Sequence, residues 1–183
     1  MKPTAGRSGD ERGRRHTLDI YLNDHLAGAT AGTELARRMA GEHRDMAFAG
    51  ELKNLAAEIS QDRQHLLRLL ADLDVAVSHY KVYGAWLGEK VARVKPNGRL
   101  LRRSGLAILV ELEAMRVGVQ GKVLLWRALL SASADEPRLE PAWLEQLLDR
   151  AEQQIRTLDA LHGRAAAAVL SAMPLRKTTD AAR

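Results

Sequence analysis

Residues 48–73, FAGELKNLAAEISQDRQHLLRLLADL, decide the fold. Within them Phe48, Leu52, Leu55, Ile59, Asp62, Leu66, Leu69 and Leu73 recur at alternating steps of four and three, which keeps one face of a helix against a partner. Asp62 is the only polar member of that seam. A polar group on a buried seam costs stability unless it is paired or binds something, so Asp62 invites a functional reading.

Working outward, the rest of the chain reads as helix too. Aromatic content is 4%, too low for an aromatic-rich sheet, and no stretch alternates with β-branched residues. Thr17 reads as the cap of a first helix to about Glu42, and Asp45 as the cap of a second from about Met46 to Asp74. The link between them is short, so the pair should pack antiparallel. Ser78 reads as the start of a shorter helix to about Val94, stopped by Lys95-Pro96-Asn97-Gly98. Ser104 reads as the cap of a third long helix to about Leu130. Pro141 suits the first turn of a fourth, which runs to about Met173. The organisation is a basic, disordered tail (1–16), one helical domain (17–173) and a flexible tail (174–183).

The other three seams carry polar exceptions of their own. The first helix reads Leu18, Tyr21, His25, Gly28, Gly32, Leu35, Met39, with the two glycines inviting a close neighbour. The third reads Leu106, Val110, Glu113, Val117, Gln120, Leu124, although this helix is apolar on more than one side. The fourth reads Leu144, Leu148, Ala151, Ile155, Leu158, His162, Ala165, Val169.

Composition narrows the chemistry. With 183 residues, 46% hydrophobic and 28% charged, the chain suits one domain with a sizeable core. The absence of cysteine removes disulfides, thiolate metal sites and cysteine nucleophiles, leaving carboxylates and histidines. No apolar run reaches the roughly 20 residues of a membrane span, and Met1 to His16 is charged where a secretory signal is apolar, which predicts a cytoplasmic protein without a transmembrane segment. A net charge of +5 favours anionic partners. No phosphate-binding loop, nucleophile elbow or dinucleotide fingerprint is present.

Two antiparallel helix pairs joined by a crossover from Val75 to Ser104 resemble the ferritin-like superfamily, as does the run Tyr21-Leu-Asn-Asp-His-Leu-Ala-Gly-Ala-Thr-Ala-Gly, which is similar to the opening helix of uncharacterised bacterial members. The resemblance implies an all-α, ferritin-like four-helix bundle with an additional short helix in the crossover. It also implies a di-metal centre built from two carboxylates and two Glu-x-x-His pairs, residues three apart pointing to one side of a helix. Asp62-Arg-Gln-His65 and Asp159-Ala-Leu-His162 keep that spacing with Asp for Glu. Glu113 or Glu111 offers the third-helix carboxylate, and Asp24, His25 or Glu34 the first-helix ligand.

The candidate metal ligands are therefore His25, Asp62, His65, Glu113, Asp159 and His162, for iron or manganese. Two features oppose them. Aspartate is one methylene shorter than glutamate. Reflection about the turns places His25 near His65 and Glu113 near Asp159, but Asp62 lies deep in its helix and Glu113 near the start of its own, an offset of roughly 12 Å if the ends are flush. Arg63, Arg116 or Lys122 could instead neutralise the buried carboxylates in ionic layers.

The leading expectation is therefore a non-catalytic binding or scaffold protein with a degenerate centre and no cofactor. The alternative is a metal-dependent oxidase or metal-handling protein. A third reading takes Lys90, Arg93, Lys95, Arg99, Arg102 and Arg103, close to Tyr80, Tyr83 and Trp86, as a surface for nucleic acid or acidic lipid. Partners are otherwise unspecified, with a homo-oligomer among them.

Overall fold

The computed structural model describes residues 5–78 and 106–171. Among the described residues there are four helices and no strand: α1 (Ala5–Glu42), α2 (Ala49–Asp72), α3 (Leu106–Ala132) and α4 (Pro141–Ser171). The crossover helix expected from Ser78 to Val94, the cap at Ser104 and the basic cluster at residues 90–103 lie outside the described residues, as does 172–183.

The helix starts correct two readings. α1 begins at Ala5, well before Thr17, whose hydroxyl donates to the Gly13 carbonyl at 3.0 Å from within the helix. Back-bonding of this kind lets a threonine sit mid-helix instead of capping one. Asp45 does not cap α2. The chain passes through successive turns from His43, and Phe48 takes the cap position without a side-chain hydrogen bond. Phe48 is buried there as the first member of the seam, so burial of its ring fixes the entry of the helix. At the other end Asp74 adopts φ 56°, and the Val75 amide donates back to the Leu70 carbonyl at 2.8 Å. That six-to-one bond closes the helix as glycine usually does, with Val75 packed into the same cluster as Leu70.

Cross-helix contacts fix the directions. Asn23 on α1 donates to the Ala76 carbonyl and accepts from the Ser78 amide, while Arg63 on α2 reaches Thr30, so α1 and α2 are antiparallel. Arg127 with Glu152, and Glu113 with His162, make α3 and α4 antiparallel. Asp62 with Arg150, and Glu51 with Arg164, run α2 against α4. His43, just past the end of α1, meets Glu111, while Trp126 shares a cluster with Leu22 and Leu26 near the other end, so α1 opposes α3. It follows that α2 and α3 run the same way, with the end of α2 and the start of α3 at opposite ends of the molecule.

The core is divided. One apolar cluster gathers Leu22, Leu26, Leu66, Leu69, Val123, Trp126, Leu144 and Ala151; the other gathers Met39, Leu52, Leu55, Ile59, Met115, Val119, Leu158 and Leu161. Each full burial of a Leu or Ile contributes about 1.5–3 kcal/mol, so the two clusters carry most of the cohesion. Between them, on α2, lies Asp62.

All eight members of the α2 seam are buried. The α3 seam is corrected: Val117 is 71% and Leu124 54% exposed, and the inner row is Ile108, Leu112, Met115, Val119, Trp126 and Leu129, all buried, with Lys122 half-buried among them. Both rows have the same four-three spacing, and the inner one wins because Trp126, Leu129 and Met115 bury more apolar surface than valines and glutamine. On α4 the fully buried row is Leu144, Leu147, Ala151, Gln154, Leu158, Leu161 and Ala165, which leaves His162 on its flank. On α1 the buried positions are Leu22, Asn23, Leu26, Ala36 and Met39, and His25 is half-buried. Among the described residues no neighbour comes close to Gly28 or Gly32, since an added Cβ would meet nothing within 4 Å at either.

Candidate functional site

The inner rows of α2, α3 and α4 each contain one strongly polar member, Asp62, Lys122 and Gln154, and the structure brings the three together. Asp62, 4% exposed, receives Lys122 Nζ on Oδ2 and Arg150 Nη2 on Oδ1. Gln154, 1% exposed, donates through Nε2 to Asp62 Oδ2 and to Glu58 Oε2, both at 3.1 Å, and its Oε1 accepts from Lys122 Nζ at 2.5 Å. One amide thus links two carboxylates and Lys122, and Arg150 joins through Asp62. Such a layer is tolerable inside a protein because the buried Asp62 charge is paired with two cations and hydrogen-bonded.

The network perturbs its members. Burial pushes the Lys122 ammonium below its ordinary pKa, and the Asp62 carboxylate opposes that push. His65 lies one turn further along α2, its ring edge-on to Trp143 at 5.7 Å between centroids. Burial first, and the Arg150 charge second, hold His65 below the usual histidine range. Two buried donors of this region, Arg150 Nε and Trp126 Nε1, have no acceptor among the described residues.

The remaining candidate ligands are placed elsewhere. His25 packs edge-on to Tyr21 at 4.6 Å between centroids, and desolvation lowers its pKa against the pull of Asp24. Glu113 Oε1 and His162 Nε2 meet at 3.1 Å, and Asp159 is gripped by Arg116, Nε to Oδ1 at 2.6 Å. With Leu112 and Leu158 these four line a shallow cleft of about 260 Å³ between α3 and α4. Glu113 stands about 14 Å along α3 from Lys122 at 1.5 Å per residue. Asp62 and Glu113 are therefore on different levels, and Asp62 and Asp159 each bind cations of the chain. Among the described residues no group of three or more His, Asp or Glu is arranged to hold a metal ion. No described helix is long and apolar enough to cross a membrane.

A third polar cluster closes the opposite end of the molecule from Asn23. Glu111 accepts from His43 Nε2 at 2.8 Å and lies 3.5 Å from Arg38 Nε, tying α3 to the α1–α2 link.

Sequence reasoning named Asp62 and Lys122 but not Gln154 or Arg150. Gln154 was legible as the lone polar member of the row Leu147, Ala151, Gln154, Leu158, Leu161. Arg150 carried no such signal, because it reaches Asp62 from beside that row. Comparison with models of known families, with curated proteins and with solved structures finds no match to this chain.

Proposed function

We propose that the chain is a ferritin-like helical bundle that works as a non-catalytic binding or scaffold protein, its centre held by an ion-pair layer in place of a metal pair. The carrying observation is the double engagement of Asp62 by Lys122 and Arg150. Both carboxylate oxygens are taken by cations of the chain, and a divalent ion beside them would meet two positive charges at close range. The helix directions support the ferritin-like part of the reading: two antiparallel pairs, with α2 and α3 running the same way.

A second reading, a metal-dependent oxidase or metal-handling protein binding iron or manganese, draws support from the Glu113–His162 contact and the neighbouring Asp159. Metal analysis separates the two. Protein purified without chelators from cells supplied with iron and manganese should carry far less than one equivalent per chain. A ratio near two, lost in His162→Ala, would replace the scaffold reading with the metal one.

A further inference from the structure

We draw no further inference here: the strongest candidate, the cleft between α3 and α4 lined by Glu113, Arg116, Asp159 and His162, belongs to the metal reading already given, and both of its carboxylates are engaged by side chains of the chain itself.

Discussion

Asp62 Oδ2 accepts hydrogen bonds from Lys122 Nζ on α3 and from Gln154 Nε2 on α4, so a single carboxylate oxygen ties three helices at one level. Neutralising that carboxylate leaves two cations close together in a site that is nearly dry. Asp62→Asn should therefore destabilise the fold by about 3 kcal/mol or more. Urea unfolding followed by circular dichroism measures this, and a loss below about 1 kcal/mol would show that the layer contributes little.

The histidines set the acid response. His65 and His25 are both held below the usual histidine pKa, chiefly by burial. The unfolded chain then binds more protons than the native one as pH drops below about 6.5, and stability falls with it. This loss begins at the unfolded pKa and continues down to the lower native value. The unfolding free energy should decline from pH 7 to pH 5, and His65→Phe should flatten that decline. Stability that rises over the same interval would contradict the assignment.

The end of α2 offers a gain. Asp74 holds φ 56°, a conformation that costs an ordinary L-residue about 1 kcal/mol or more and glycine nothing. Asp74→Gly forfeits an exposed contact to Arg138 at 3.2 Å, worth at most about 0.5 kcal/mol at such a surface. The substitution should raise stability by a few tenths to about 1 kcal/mol in thermal unfolding.

The α2 seam was legible because its alternative faces are crowded with Lys53, Asn54, Gln61, Gln64 and Arg68, leaving one apolar stripe to bury. On α3 two stripes share the same spacing, and single-chain periodicity does not say which one the neighbours cover. The outer stripe carries Glu113 and leaves Lys122 off the seam, where it reads only as a partner for a buried carboxylate. On α4 the row through Leu148, Ile155 and His162 is as apolar as its buried neighbour through Leu147 and Leu161, which contains Gln154. The offset between Asp62 and Glu113 could be read from helix lengths alone, because rise per residue is fixed. Arg150 could not, since a long flexible side chain reaches inward from a position that patterning marks as surface.

Asp62 and Lys122 form a coupled structural pair at the middle of the molecule, and a double-mutant cycle measures that coupling directly. Urea unfolding of the wild type, Asp62→Leu, Lys122→Met and the double variant yields the interaction free energy. Asp62→Leu strands the Lys122 charge and Lys122→Met leaves Asp62 Oδ2 without its cation, Arg150 holding only Oδ1, whereas the double change leaves an apolar pair beside Gln154, with Arg150 able to turn toward solvent. The predicted result is a double variant at least about 2 kcal/mol more stable than the sum of the single losses implies. Additivity within about 0.5 kcal/mol would contradict the pair and with it the structural reading of the layer.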